Sequence, residues 1–565
     1  MVDSCHAIKV GKKEDRCLSS EKIGRVVNVV GRNRVTIAVN EDKLVKVSKP
    51  GVYVKIPVFG VTLFGVVTSF SLSDELYRAS RIVEEFEGYG EFRLSRNEIL
   101  VTLVGSMDEH GNIKRGIPLL PRPGDHVELV DTDTLKRVFE SGDVEIGRLN
   151  TNSDVRVFLD INKLCSRHLA ILAMTGAGKS NALAVILGEL LKKFPYARVL
   201  LIDTHSEYVS MAKTEDFNAR VFTPLKPMIE LLENQFDVTP QIFEVPYWVL
   251  SLDEWYSLLR LDTRATKQRM YLRDGIRKIK RELDINAGAN DPLYFDINEL
   301  ISKLKSGRKD ASLEDLLNKM EELLEDDEKR FITEPEETKD LLEDLKRGYL
   351  ASGHNEKEAI KRASYDLYYR LAERVLKEGL NIVALGGLSG DTQDAITSTI
   401  LRMIWRLITN LRYQGVVWPT MIVLEEAHNY APSGRYTASR GVVETLAKEG
   451  RKFGICLVII SQRPRELSET VLAQCGNLIA LRTVNPADQN YIISSLEEVN
   501  KEIIEDLPGL ETGEAIVSGP AIRFPAIVQV YNFKERFGIE LGGKDIDFRT
   551  HWMHGAVGGS FGEEK

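Results

Sequence analysis

The sequence has no run of eighteen apolar residues, and its opening stretch, MVDSCHAIKVGKKEDRC, lacks the apolar core of a secretory signal. The first absence argues against a membrane-spanning helix, and together they lead us to expect a cytoplasmic protein with no membrane partner. Cysteine is scarce. Cys5, Cys17, Cys165, Cys456 and Cys475 are the only five in 565 residues, and none stands in a CxxC spacing. That excludes a disulfide scaffold and a zinc ribbon and leaves thiols of a reducing compartment, with Cys456 a core residue in the apolar run GICLVII. The 42 glycines and 19 prolines are too few for a collagen-like or low-complexity chain. No internal repeat is visible, so a solenoid or propeller is not expected. An excess of positive charge is missing too: 75 Lys and Arg face 84 Asp and Glu, a net charge of −9.

That acidity does not exclude a nucleic-acid partner. Residues 313–343 alone hold 13 acidic and 4 basic side chains, which accounts for the whole imbalance, and a neutral remainder can still carry a basic stripe. One basic run exists, RATKQRMYLRDGIRKIKRE over 264–282, with 8 basic and 2 acidic residues. Such a run is a solvated helix face, a partner for the acidic segment, or a DNA-backbone contact; pairing within its own domain is the expectation here.

Residues 22–131 carry short alternating or β-branched runs (GRVVNVV, RVTIAV, VYVKIPV, VTLFGVVTSFSL, EILVTLVGSM, HVELV) punctuated by GRNR, SKPG, DEHGN and PRPGD. Six or so short strands with turn signals predict a small barrel or sandwich, with a helical interruption at about 73–90. From residue 168 strands alternate with helices: HLAILAM, ARVLLID, GLNIVALGGL, VWPTMIVLEEAHN, GICLVIISQ and CGNLIALRT. This is the pattern of an α/β fold with a parallel sheet covered on both faces. Residues 250–375 are helical in character, as if inserted into the α/β unit. Two final strands are expected in EAIVSGPAIRFPAIVQV, ahead of a glycine-rich tail.

The chemistry concentrates at strand ends. Ala173-Met-Thr-Gly-Ala-Gly-Lys-Ser180 follows an apolar strand and opens a helix, the setting a phosphate-binding loop requires. Gly176 and Gly178 let backbone N–H groups converge on phosphate oxygens, and the helix N-terminus adds a favourable dipole. Thr175, Ala177 and Asn181 complete the loop and its helix start. Lys179 is the residue expected to reach the terminal phosphates of ATP, and Ser180 the one to hold Mg²⁺. Ala173 stands where such loops usually begin with glycine. A second strand ends in Glu425-Glu426: Glu425 is expected to bind Mg²⁺ in place of the more usual Asp, and Glu426 to polarise the attacking water. Paired acids after a strand otherwise mark a solvated strand end. Asp203 closes the strand ARVLLID, with Glu207 close behind, and fits either the nucleotide site or a helix N-cap. Gln462 fits a γ-phosphate sensor or an ordinary loop amide. Arg451 and Lys452 precede the strand that carries Gln462, at the edge away from their own phosphate loop. They fit a cation donated to a neighbouring subunit's site, or a helix C-terminal pair closed by Gly454. The histidines show no metal spacing and read as structural residues, although His428, beside Glu426, also fits a residue that couples hydrolysis to DNA.

Taken together, AMTGAGKSN, DTHSEY, LEEAHNYAP, EGRKFG and SQRP, followed by CGNLIALRTVNPAD, resemble the HerA–FtsK superfamily of ring-forming DNA-pumping ATPases, and within it the archaeal HerA helicases. The resemblance spans roughly residues 20–545. It implies a RecA-like P-loop NTPase core with an N-terminal small β-barrel and an inserted helical domain. The expected boundaries are an N-terminal extension over 1–20, the barrel over 21–145, the core over 146–249 and 376–533, the insert over 250–375, and a tail over 534–565 that braces a neighbouring subunit. It further implies a homohexamer that threads duplex DNA, acting with a NurA-like nuclease and the double-strand-break repair machinery in DNA-end resection. By position, Lys179, Ser180 and Glu426 keep the roles above, Arg451 matches a trans-acting arginine, Arg167 matches a second arginine of the nucleotide site, and Gln462 matches the sensor. The barrel would be the end that docks the nuclease, and loops lining the pore of the core would touch DNA. Two other readings stay open: a nucleotide-gated scaffold that loads a nuclease, and a conjugation or secretion ATPase of the same superfamily.

Overall fold

In the computed structural model, which describes residues 21–74, 95–214, 216–306, 310–495, 507–542 and 549, the alternating runs near the N-terminus are strands. They are β1 (Lys22–Val30), β2 (Arg34–Val39), β3 (Tyr53–Val58), β4 (Val61–Asp74), β5 (Ser95–Met107), β6 (Ile113–Arg115) and β7 (His126–Leu129). Their order is β2-β1-β7-β3-β4-β5-β6, and β2 pairs with β5 as well. That last pairing closes six strands into a barrel and leaves β6 outside on β5, so the barrel is correct and the sandwich is not. Closure removes the free sheet edges. The inward positions, among them Ile23, Val35, Ile56, Leu63, Val67 and Val101, form one buried cluster. Register shifts at Phe64/Gly65 and Val67/Ser69 bend β4 along β5. A Cβ at Gly65 would come within 2.3 Å of Val101, which is why no side chain fits there. The helix expected at about 73–90 falls outside the described residues, save that Ser73 and Asp74 end β4.

The chain divides into two compact units, residues 1–138 and 139–565. The second is built on one twelve-stranded sheet. Its strands are β8 (Val144–Leu149), β9 (Asn152–Leu159), β10 (Leu169–Leu172), β11 (Arg198–Asp203), β12 (Ala219–Thr223), β13 (Gln241–Ile242), β14 (Gly379–Ala384), β15 (Thr420–Leu424), β16 (Ile455–Ser461), β17 (Asn477–Leu481), β18 (Glu514–Ser518) and β19 (Ala526–Val530). The order is β13-β12-β14-β11-β15-β16-β10-β17-β18-β19-β8-β9. From β13 to β17 every neighbouring pair is parallel; from β17 to β9 every pair is antiparallel. All residues of LAIL, TMIVL and ICLVIIS are buried, as strands covered on both faces must be.

The chain leaves β10 through the Lys179–Lys193 helix and re-enters the sheet at β11, three places away in the order. Connections after β10, β11, β15 and β16 all emerge at the C-terminal edge of the parallel strands, where open α/β sheets bind ligands. The β8–β9 hairpin and the short β12 and β13 were not anticipated from the sequence.

Between β13 and β14 the described residues contain helices and no strand. Those used below are Leu252–Leu258 and Thr266–Arg281; Ala311–Glu325, Glu336–Ala351 and Glu356–Arg374 belong to the same layer. Buried polar bonds fasten it to the core helix Gly390–Tyr413. Glu254, fully buried, accepts from Arg402 Nη2 at 2.7 Å, Arg402 Nε at 3.0 Å and Ser398 Oγ at 2.9 Å. In the basic run, Lys267 lies 3.8 Å from Asp310, Gln268 donates to Asp315, and Arg264, Arg277 and Lys278 are exposed. Contact between the basic and acidic segments is therefore thin. No described helix is long and apolar enough to cross a membrane.

Candidate functional site

The loop after β10 turns on its glycines. Gly176 has φ +78° and Gly178 φ +100°, values that favour glycine. Nothing lies within 4 Å of a Cβ built on Gly176, so backbone conformation and not space selects glycine there. Ala173 is buried and is not among the residues with positive φ, which explains why a methyl group is accepted at the loop's first position. The backbone is pinned on both sides: Ala173 N–H donates to Ser461 O at 3.3 Å, Met174 N–H to Arg482 O at 3.1 Å, and Gly513 N–H to Ala177 O at 3.3 Å.

Gly178 caps the Lys179–Lys193 helix in a left-handed conformation and brings Lys179 to a buried position, 7% exposed. Its ammonium donates to Glu426 Oε1. Glu426, 3% exposed, sits at φ +46° two residues after the end of β15, a conformation uncommon for a residue with a Cβ and one that concentrates at functional sites. Gln462, at the end of β16, donates from Nε2 to the same Oε1 at 2.7 Å and accepts from the Thr175 hydroxyl. His428 Nδ1 lies 3.3 Å from Glu426 Oε2 and 3.1 Å from Ser461 Oγ. Burial alone would raise the Glu426 pKa, but the Lys179 ammonium, with His428 and Gln462 adding to it, holds the carboxyl below its ordinary value. Burial pushes His428 down. The outcome is a Glu426 carboxylate whose charge is met by the Lys179 ammonium.

A second carboxylate group lies alongside. Asp203 accepts from the N–H groups of Glu207 at 3.0 Å and Tyr208 at 2.9 Å, so it does cap the turn that follows β11. It also hydrogen-bonds Glu425 side chain to side chain. Burial first, then repulsion between neighbouring carboxylates, raises both. Each of the two buried acids is therefore harder to ionise than an ordinary carboxyl. Glu425 also accepts from His205 N–H at 3.2 Å, and Ser180 donates to Glu207 Oε2 at 2.8 Å. Among the described residues no group of three or more His, Cys, Asp or Glu could hold a metal ion on its own. Mg²⁺ completes its shell with phosphate and water oxygens, so Ser180 with a neighbouring carboxylate is a sufficient protein contribution. The two left-handed glycines, the buried ammonium and the surplus of negative charge fit a nucleotide with its magnesium.

Not every expected residue joins this cluster. Asn181 turns away, donating to Tyr531 O and accepting from Phe533 N–H, both at 2.8 Å. Arg167 and Arg451 are exposed at the opposite, N-terminal edge of the strands, Arg167 just before β10 and Arg451 before β16. His168 between them accepts from Leu457 N–H at Nδ1 (3.0 Å), so its Nε2–H donates to Ala447 O (3.0 Å). The tail through Gly542 folds back on its own chain, where Gly542 N–H donates to Glu207 O at 2.8 Å; most of the expected brace lies outside the described residues. The sequence reading passed over Thr204 and Tyr430, which are buried beneath Glu425. Their positions in THSEY and HNYAP were the available signal.

A family model described as "Helicase HerA, central domain" matches residues 144–404. The chain is 31% identical over 516 residues to "Probable helicase MJ1565" of Methanocaldococcus jannaschii, with 89% of this chain and 90% of that protein covered. It is 28% identical over 516 residues to "DNA double-strand break repair helicase HerA" of Pyrococcus furiosus, covering 83% of this chain and 84% of that one. Among solved structures, VirB4 of Thermoanaerobacter pseudethanolicus aligns with a TM-score of 0.44 at 16% identity, over 70% of this chain and 99% of the other.

Proposed function

The chain belongs to the HerA family of ATP-hydrolysing helicases, and from that premise we propose that it is an ATP-driven translocase of duplex DNA, acting as a homohexamer in double-strand-break end processing with a NurA-like nuclease. The observation that carries this reading is the convergence of Lys179, Glu426, Gln462 and Thr175 at the C-terminal edge of the parallel sheet. A relative named for double-strand-break repair supports the biological setting.

In the proposed mechanism the phosphate loop, Thr175 to Asn181, orients ATP through its backbone and Lys179. Ser180 and Glu425 would hold Mg²⁺, which would neutralise charge on the phosphate oxygens. Glu426 takes the proton of the attacking water, and Gln462 aligns that water. Lys179, paired with Glu426 in the resting site, moves its charge to phosphate as Glu426 turns to its water. Arg451, which cannot reach its own loop, completes the site of the next subunit, and Arg167 at the same edge joins it.

The test is translocation along a blunt linear duplex carrying a bound roadblock. ATP should drive displacement of the roadblock by the assembled ring, and a non-hydrolysable analogue should not. Displacement that is equal with the two nucleotides would contradict the motor.

A further inference from the structure

Asp394 lies near the start of the Gly390–Tyr413 helix, buried, and takes no part in the phosphate loop. Its carboxylate ties its own helix to two other pieces of chain. Oδ2 accepts from Ala438 N–H at 2.7 Å and from Ser257 Oγ at 3.1 Å. Oδ1 accepts from Ser439 N–H at 3.1 Å and from the Ser439 hydroxyl. Ser257 belongs to the Leu252–Leu258 helix of the helical layer. Ala438 and Ser439 end the segment that starts at Glu426 and leads, through the Arg440–Glu449 helix, to Arg451.

Ser439 is the N-cap residue of that helix, yet its hydroxyl makes no cap bond; it is turned to Asp394 instead. The local cap is replaced by a carboxylate from another element, placed at the positive end of the helix dipole. The network then runs inward. Ser439 Oγ lies 2.8 Å from Tyr430 O, Tyr430 Oη donates to Thr204 Oγ1 at 2.8 Å, and Thr204 Oγ1 donates to the carbonyl of Glu425 at 2.9 Å. Gln393, next to Asp394, donates from Nε2 to Thr204 O at 3.3 Å and Leu385 O at 3.0 Å. One helical turn therefore grips the chain after the Glu425–Glu426 pair, through Asp394, and the Thr204 segment that bonds the Glu425 carbonyl, through Gln393. Buried, charge-assisted networks of this kind are stiff, and partial loss of one is felt by every member.

We propose that Asp394 is a positioning residue for hydrolysis: it fixes the chain between Glu426 and Arg451 against the Leu252–Leu258 helix, so that a shift of that helix at Ser257 misaligns Glu426 while nucleotide affinity stays the same. The helical layer thereby controls turnover through one carboxylate. This rests on Glu426 being the base, as proposed above.

The experiment is steady-state ATP turnover by the full-length chain carrying Asp394→Asn, Ser257→Ala or Ser257→Thr, with Glu426→Gln as the reference and thermal melting to establish folding. Asp394→Asn keeps the shape but loses one acceptor, and kcat should fall about tenfold or more with KM within about twofold, because small misplacements of reacting groups cost rate and not binding. Ser257→Ala should lose part of kcat, and Ser257→Thr, which restores the hydroxyl, should recover it. A merely structural role would lower the melting temperature without this split and would not distinguish the two Ser257 variants. Folded Asp394→Asn with wild-type kcat, or equal turnover in the two Ser257 variants, would overturn the proposal. If Asp394→Asn does not fold, the Ser257 pair decides alone. Turnover that survives in Glu426→Gln would instead strike the reading of the base.

Discussion

Glu426→Gln is expected to lower ATP turnover by about 10²–10⁴-fold, the usual worth of a positioned general base, while nucleotide still binds. The substitution keeps size and hydrogen bonding but removes the proton acceptor. It also removes the carboxylate that pairs with Lys179 in the resting site. That ammonium is then free for phosphate, so nucleotide affinity should be equal or tighter. Fluorescent-nucleotide titration beside a turnover assay checks both halves, and wild-type turnover in the variant would remove Glu426 from the mechanism. The pH dependence has a defined sign. Because Lys179 holds Glu426 below its ordinary value, the acid limb of kcat/KM for the free enzyme should lie below the usual glutamate pKa. The same shift stabilises the fold above the unfolded-state pKa, and that contribution is lost as pH falls through the folded one.

Arg451→Ala should be as severe, about 10³–10⁵-fold in kcat, if its guanidinium stabilises transition-state charge in a neighbour's site. The physical case is one of distance. Arg451 precedes β16, whose seven residues separate it from Gln462 and the loop edge; at about 3.3 Å per residue that is roughly 20 Å, beyond any arginine side chain. An arginine acting in trans makes a specific result follow. Arg451→Ala and Glu426→Gln are each inactive alone, but mixed rings contain sites with an intact Glu426 facing an intact Arg451. In a random equal mixture of a closed ring about one site in four is whole, so about a quarter of wild-type turnover should return. A mixture as inactive as its components, after subunit exchange, would exclude the trans role.

Much of this site was legible in the sequence because it is local. The loop from Ala173 to Ser180 carries its own strand, glycines and helix start within a few residues, and Glu425-Glu426 and Gln462 are marked by the buried strands before them. Parallel strands read as continuous apolar runs, so their C-terminal ends, and hence the site edge, could be located without coordinates. The β8–β9 hairpin was not legible, since what makes it part of the sheet is pairing between Leu149 and Val528, far apart in the chain. Asn181 was assigned to the nucleotide by its place after Ser180, yet its amide is spent on the backbone of Tyr531 and Phe533, a contact no local pattern announces. Asp203 carried two readings, and the structure shows the capping one: it accepts from the N–H groups of Glu207 and Tyr208. Asp394 left no trace in the sequence because its partners, Ser257 and Ser439, lie far from it along the chain and meet it only through folding.

The most direct measurement is steady-state ATP turnover by the full-length chain with and without linear duplex DNA at low and high salt. A DNA-coupled motor should show strong stimulation that weakens as salt rises, because phosphate contacts release counterions. Turnover that is the same with and without duplex DNA at both salt concentrations would contradict it.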